Sequence, residues 1–474
     1  MSPCLTRPRL NLDALLEILC LADLSTQSQI MKTCRVLYRE GGKQLLRSNE
    51  VSIHTEMQLA SFLSFMRADG YARFPHIRTL DLRPSEQTFS RTIEWLVEFF
   101  AELVVRKARL QGLSFQWIED MLPLDGRLAA SLAHMGTLTN LSIYYLDHPT
   151  WAILRTMCSR LTKVKLVFSE VDNDFRAAPR DELDLIHLLE GSQATLESLT
   201  LTTSNLTAIV TSTGPVYPLM KDLTLKPESV WMPIASHYIQ AFPNLRSFFI
   251  DDSNTLVDRP DVGSPQCVAT RATNRSYQQK HGSWKSLAYF HGEPRHLYTL
   301  ALACRIDHLF IDEMRESADA TILRALLADA RPARLELGIN INANFTKADW
   351  VAALCELRTP QVQVLTIKLS VQGEDEEMGL EQTINAIYGI IASLPLIAFH
   401  LDIQRFEWHP DEPCDTYGDL MNLNDVADRL MAASPSMKTT LVTLDYPPSR
   451  KDIAVLAGCP DECDRLFGYG LGAS

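Results

Sequence analysis

The feature that most constrains this chain is a recurring frame: an apolar residue, two others, an apolar residue, one other, and a third apolar residue. It reads IRTLDL from Ile77, LQGLSF from Leu110, LTNLSI from Leu138, LTKVKL from Leu161, LESLTL from Leu196, MKDLTL from Met220 and LRSFFI from Leu245. It continues as WKSLAY from Trp284, IDHLFI from Ile306, VQVLTI from Val362 and LIAFHL from Leu396, with PARLEL from Pro332 and LVTLDY from Leu441 as weaker copies. The alternation predicts a short strand with one buried face in each copy. Three positions past the last apolar residue stand Ser85, Ser169, Ser204, Ser253, Ser370 and Ser449, with Asn340 in another copy. Short polar side chains there suit a turn at the end of each strand. Between frames, TIEWLVEFFAELVVRKA (92–108) and ATILRALLADA (320–330) carry helical period. Strand and helix in alternation predict an α/β chain with a parallel ladder.

The frame resembles the leucine-rich repeat, with serine more common than asparagine at the turn. The resemblance runs from about residue 74 to about residue 449. It implies a solenoid: a parallel strand ladder with helices on the convex side, each repeat lending its apolar face to the next. The alternative is an ordinary α/β domain with parallel strands.

The size agrees with an array, since 474 residues exceed one ordinary core. The net charge of −13 is spread along the chain and argues against a nucleic-acid partner. Ten cysteines without disulfide-like spacing predict reduced thiols and an intracellular protein of the cytoplasm, the nucleus or both. The opening leucines are interrupted by Asp13, Glu17 and Asp23, so no secretory leader is read there. The most apolar window, 384–403, is broken by Pro395, His400 and Asp402; it reads as a buried helix and a strand, and no membrane partner is expected.

Residues 10–23, LNLDALLEILCLAD, lie outside the repeat. Leu12, Leu15, Leu16 and Leu19 fall on one helical stripe with Ile18 beside it. A second helix is expected from about Ser28 through Ile30, Met31, Cys34 and Leu37. Such a unit is too small to stand alone and must pack on the array or on another protein.

This stretch resembles an F-box. Leu10, Asp13, Leu15, Ile18 and Leu19 occupy matching positions, Asp23-Leu24 matches the inter-helix turn, and TCRVLY (33–38) matches the segment that follows. Asn11 departs from the motif, which has proline there. An F-box followed by leucine-rich repeats implies a substrate-recognition subunit of a cullin-type (SCF) ubiquitin ligase. In that organisation the F-box docks a Skp-type adaptor, the adaptor bridges to the cullin scaffold, and the array holds a protein target. Leu10, Leu12, Leu15, Ile18, Leu19, Leu24, Ile30, Cys34 and Leu37 are the adaptor-face residues and their support by this resemblance. The alternative is that these leucines cap the first repeat, and that the chain is an interaction scaffold without a ligase. The expected organisation is a tail over 1–9, the F-box-like unit over 10–48, the array over 49–449 with an insertion loop at about 252–284, and a cap and tail over 450–474.

Residues between and just after the strand leucines face away from the helices. These are Tyr144, Lys165, Lys226, Phe249, Asp251, Phe290, Phe310 and Asp312. Phe249, Phe290 and Phe310 come from consecutive frames and are expected to form one aromatic, target-binding patch flanked by Asp251 and Asp312. The polar stretch 252–284 carries Arg271, Arg275 and Lys280, with Lys285 just beyond; it reads as a lid over the patch or as a basic contact loop. GEDEEMGLE (373–381) reads as a solvated loop.

No phosphate-binding loop, zincin motif or nucleophile elbow is found, so no enzyme and no cofactor are expected. Cys459 and Cys463 lie four apart, downstream of His409 and Cys414, without the tight second pair of a metal site. GYGLG (468–472) reads as a tail.

Overall fold

The computed structural model describes residues 11–83, 89–116, 126–146, 148–168, 185–203, 214–227, 232–251, 261–314, 317–341, 361–372, 377–406, 422–445, 453–458 and 466–467. The chain divides into two compact units, one of Met1–Ser204 with Tyr217–Leu219, the other of Asn205–Val216 with Met220–Ser474.

The first unit opens with three helices, α1 (Leu12–Leu21), α2 (Leu24–Met31) and α3 (Arg35–Ser48). Strands and helices then alternate: β1 (Glu50–Ile53), α4 (Glu56–Arg67), β2 (Thr79–Leu82), α5 (Phe89–Val105), β3 (Gly112–Gln116), α6 (Gly126–Ala133), β4 (Asn140–Leu146), α7 (His148–Thr156), β5 (Lys163–Phe168), α8 (Leu185–Leu188) and β6 (Ser198–Thr203). The six strands pair in chain order, all parallel. Parallel neighbours need a crossover, and here a helix or short turn supplies it. The inward residues, among them Leu80, Leu113, Phe115, Leu141, Ile143 and Leu166, are fully buried.

The second unit continues the same alternation: β7 (Asp222–Pro227), α9 (Ala235–Ala241), β8 (Ser247–Ile250), α10 (Pro265–His281), β9 (Ser286–Gly292), α11 (Pro294–Leu300), β10 (Arg305–Met314), α12 (Ser317–Ala330), β11 (Arg334–Ile341), β12 (Val364–Gln372), α13 (Glu377–Ile391), β13 (Ala398–Phe406), α14 (Leu423–Ala433), β14 (Thr439–Asp445) and β15 (Ile453–Gly458). β7 to β14 pair in order and parallel, and β15 runs antiparallel against β14. The whole is α/β with a mostly parallel ladder, as the alternation predicts.

One backbone device repeats in both units. The two N–H groups that follow the first apolar residue of a frame donate to a single carbonyl, that of the second residue of the preceding frame. Gln111 and Gly112 share Arg78, Thr162 and Lys163 share Thr139, Arg246 and Ser247 share Lys221, and Gln363 and Val364 share Ala333. The device fixes the register of each strand. It also corrects two frames. Ala288 and Tyr289 share the Arg246 carbonyl, so the β9 frame begins at Leu287 rather than Trp284. Lys438 donates to Ile397, so the β14 frame begins at Met437 rather than Leu441.

Other expectations are also corrected. Asn340 and Ser370 pair with each other inside β11 and β12, so neither ends its strand. Ser85, Ser169, Ser204, Ser253 and Ser449 lie outside the described residues, as do His409, Cys414, Cys459, Cys463 and the tail 468–472. Most of the stretch 252–284 is helix α10, not a loop. Ser264 caps it, accepting from the Cys267 N–H, and Pro265 takes the first helical position. Its inner side is polar but satisfied: Asn274 donates to the Pro233 and Thr299 carbonyls, and Gln278 to those of Leu300 and Ala301. Arg271 is buried, donating to the Tyr298 carbonyl and pairing with Asp329, so it is not a contact residue of a basic loop. Residues 377–381 of the acidic stretch belong to α13. Among the described residues no helix is long and apolar enough to cross a membrane.

Candidate functional site

The opening helices form one candidate surface. Asn11, in the position where proline was expected, caps α1: its side-chain oxygen accepts from the Asp13 N–H at 3.3 Å. Asp23 caps α2, accepting from the Thr26 N–H at 2.9 Å and from its hydroxyl. The expected second helix is two helices, because Lys32–Cys34 break the helical run between α2 and α3. Leu19, Met31, Leu37 and Leu46 face inward and are buried. Gly41 lets α3 pass close by them. A Cβ there would sit 2.7 Å from Met31 Cγ and 3.1 Å from Leu19 Cδ1.

Of the residues expected on the adaptor face, Leu12 and Ile18 are 40% and 47% exposed. Leu15 and Ile30 are half-buried and Cys34 is exposed, whereas Leu19 and Leu37 belong to the interior. Leu10 and the Leu24 side chain lie outside the described residues. Leu21 and Val36, which the motif did not single out, add to the exposed apolar surface at 84% and 44%. Period alone could have flagged Leu21, which lies three residues after Ile18.

α3 is tied to α4 through one buried side chain. Arg73 is fully buried; it donates to the Phe65 and Tyr38 carbonyls, and its guanidinium lies 3.9 Å from the Phe65 ring centre and 4.6 Å from that of Tyr38. Its charge is thus held by carbonyl dipoles and aromatic faces. Beside it opens a groove of about 890 Å³, walled by Met31, Leu46, Ile53, Met57, Phe62 and Phe65.

The second candidate surface is the outward face of β7–β14. The fifth frame position supplies Phe249, His291, Phe310, Glu336, Thr366 and His400 on successive strands from β8 to β13. The expected patch of Phe249, Phe290 and Phe310 is therefore corrected at its centre. Phe290 is fully buried, packed edge-on against Phe248 at 5.6 Å. The reason is the frame: moving its start by three residues turns Phe290 inward and His291 outward, since alternate residues face opposite sides. Gly292 hid the true frame. It stands where the others have an apolar residue, and a Cβ there would lie 3.4 Å from Ile250 Cβ.

His291 completes the patch. Its ring stacks on Phe310 at 4.1 Å with planes 17° apart and meets Phe249 edge-on at 4.1 Å. Its Nε2 lies 3.3 Å from Asp312. Asp251 is held by Lys226 at 2.6 Å. On the far side of Phe310, Lys368 Nζ sits 4.5 Å from the ring centre and donates to Glu336 at 2.7 Å. His308 approaches the same carboxylate at 3.2 Å. Burial alone would raise the Glu336 carboxyl, but hydrogen bonds from His308 and Lys368 outweigh it and bring it down to about 2. Tyr289, edge-on to His308 at 4.9 Å, is pushed up to about 12 by burial and by Glu336 and Asp312. Further along, His400 Nε2 lies 2.9 Å from Thr443 Oγ1, which donates to Asp402 at 2.7 Å. Burial holds His400 well below the usual imidazole range, against the opposing pull of Asp402.

In the first unit, Tyr144 accepts a hydrogen bond from Lys165 at 3.0 Å, so these two expected contact residues hold one another. Over β8–β10 the second unit's face is a strip of rings edged by Asp251, Asp312 and Lys368. Rings of this kind supply contact area and fixed charges supply orientation wherever such a face meets another surface. No protein-family model matches this chain, and no curated protein matches it.

Proposed function

We propose that this chain is the target-recognition subunit of a cullin-type ubiquitin ligase. In this reading α1–α3 dock a Skp-type adaptor that joins the cullin scaffold, and the strip over β8–β10 holds a protein target. The receptor contributes proximity and orientation rather than bond chemistry. The observation that carries the reading is the exposure of four large apolar side chains on α1 and α3. Leu12, Ile18, Leu21 and Val36 stay exposed although Leu19, Met31, Leu37 and Leu46 already give the small unit its core. Exposed apolar side chains gathered on one small element are the usual mark of a protein partner.

The test is capture of a Skp-type adaptor and cullin by the full chain. Leu12→Asp with Ile18→Asp is expected to cut capture at least about tenfold, the factor that 1.4 kcal/mol produces. Both positions are exposed, so the melting temperature should hold. Capture equal to wild type would sink the adaptor reading. A second reading is favoured by Arg73, which ties α3 to α4, the first helix that alternates with the strands: an interaction scaffold that works without a ligase, its first helices serving as a cap. It predicts target binding without adaptor capture. For the strip, Phe249→Ala with Phe310→Ala should weaken target capture without unfolding, and unchanged capture would count against it.

A further inference from the structure

The outward face of the second unit changes character along its length. Over β8 and β10 the residues Phe249, Asp251, Phe310 and Asp312 are half-buried. Over β11–β13 their counterparts Glu336, Thr366, His400 and Asp402 are buried, His400 and Thr366 to 98%. A polar side chain on the outer face is buried either by its neighbours, as His291 is between Phe249 and Phe310, or by a segment lying over it. Here part of the cover is the chain itself. Arg334, on β11, donates from Nη1 to the Leu466 carbonyl at 2.7 Å across 132 residues of sequence. The Phe467 ring lies 5.5 Å from the His400 ring on β13, tilted by 58°. Thr366 lies on β12, between these two strands, and its hydroxyl finds no hydrogen-bond partner among the described residues.

We propose that the face over β11–β13 is a binding surface for a stretch of polypeptide bearing an aromatic residue, and that Leu466–Phe467 occupy it as an intramolecular stand-in. The two contacts define what is recognised. Arg334 reads a main-chain carbonyl, which any peptide offers. The ring of His400 reads an aromatic side chain, for which Phe467 is the present occupant. The unmet Thr366 hydroxyl marks a part of this surface that the stand-in leaves unsatisfied. The occupant is tethered, so a foreign segment competes against an effective concentration of about a millimolar. The strip over β8–β10 is separate from this surface, and Phe249 and Phe310 there are half-buried. A target that engaged it and carried an aromatic residue further along would displace the stand-in; this last step rests on the proposed target-binding role, whereas the occupancy does not.

The experiment measures diethyl pyrocarbonate modification of His400 by peptide mass spectrometry in full-length chains. Phe467→Ala is expected to speed modification of His400 at least about tenfold over wild type, the factor given by 1.4 kcal/mol of lost contact. Arg334→Ala, which removes the other grip without touching the apolar core, is expected to do the same. A synthetic peptide of residues 459–474, added to Phe467→Ala at about 1 mM, should restore protection; the same peptide carrying Phe467→Ala should not. Unchanged reactivity of His400 in both variants would overturn the proposal, and so would absence of protection by the wild-type peptide. Thermal melts on each variant separate local release from unfolding, and Arg334→Ala decides the matter if Phe467→Ala melts early. Adaptor capture should be the same in all these chains, so a failure here is distinct from a failure of the adaptor reading.

Discussion

The two units build the same ladder and use its outer face differently. In the first unit the fifth frame position is Asp81, Ser114, Ser142, Lys165 and Thr200 on β2 to β6. In the second it is Phe249, His291, Phe310, Glu336, Thr366 and His400 on β8 to β13. The inward positions are alike in both, mostly leucine, isoleucine, valine and phenylalanine, and buried; Gly292 on β9 and Thr440 on β14 depart in type. Inward residues answer to close packing, where even one methylene is felt. Outward residues are free of that demand, so the face can change from small polar groups to rings and paired charges while the scaffold stays constant. What a unit can grip is decided at those outward positions.

The largest effect that would break this comparison is on the inner face of β9. Phe290→Ala should cost about 3–5 kcal/mol in denaturant unfolding, because it empties a filled interior position. Ser142→Ala, on the outer face of the first unit, should stay within about 0.5 kcal/mol. If the two were alike, the division into inner and outer faces would be wrong. The next effect is on pH. Glu336 sits at about 2 in the folded chain against an ordinary 4.5. Its contribution is therefore complete above about pH 4.5 and is lost as pH falls toward 2, on the order of 3 kcal/mol. Glu336→Gln should flatten the acid limb of the stability curve over that window, read by denaturant midpoints at each pH. His400 works in the same direction at higher pH. Its imidazole is depressed below 6.5, so the unfolded chain takes up the proton first and stability falls as pH drops below about 6.5.

Smaller effects test the helices. Gly41→Ala should lower stability by about 1–3 kcal/mol, since its methyl meets Met31 in the closest approach of α3. Gly389→Ala, in α13, should raise stability by about 0.5–1 kcal/mol, because nothing lies within 4 Å and alanine is the better helix former. Thermal melts that placed both glycines on one side of wild type would show that close approach does not explain Gly41.

The strand–helix alternation, the parallel order and most inward residues were legible in the sequence, because burial on one side of a strand forces a period of two. The caps were not read: Asn11 stands in the motif only as a departure from proline, although asparagine is itself a capping residue. The polar stretch 252–284 was misread because its helix buries amides and a guanidinium: Arg271, Asn274 and Gln278 find partners on neighbouring elements that no local pattern announces. Ser370 and Asn340 misled for a related reason, since a polar residue at a strand's expected end is equally at home inside a longer strand.

The sequence by itself determined that this chain would repeat one unit of strand and helix, and that some aromatic residues would stand on the outer face. Only the tertiary structure decided which ones. The segment Leu287–Gly292 fits two frames that differ by three residues, and an odd shift exchanges the two faces of a strand. The shared carbonyl of Arg246 settles the choice. It lies 42 positions before Ala288 in sequence and reaches β9 only when β8 is laid beside it. The same holds for Leu466 and Phe467, whose place over β11 and β13 is set by Arg334 and His400 and by nothing near them in the chain.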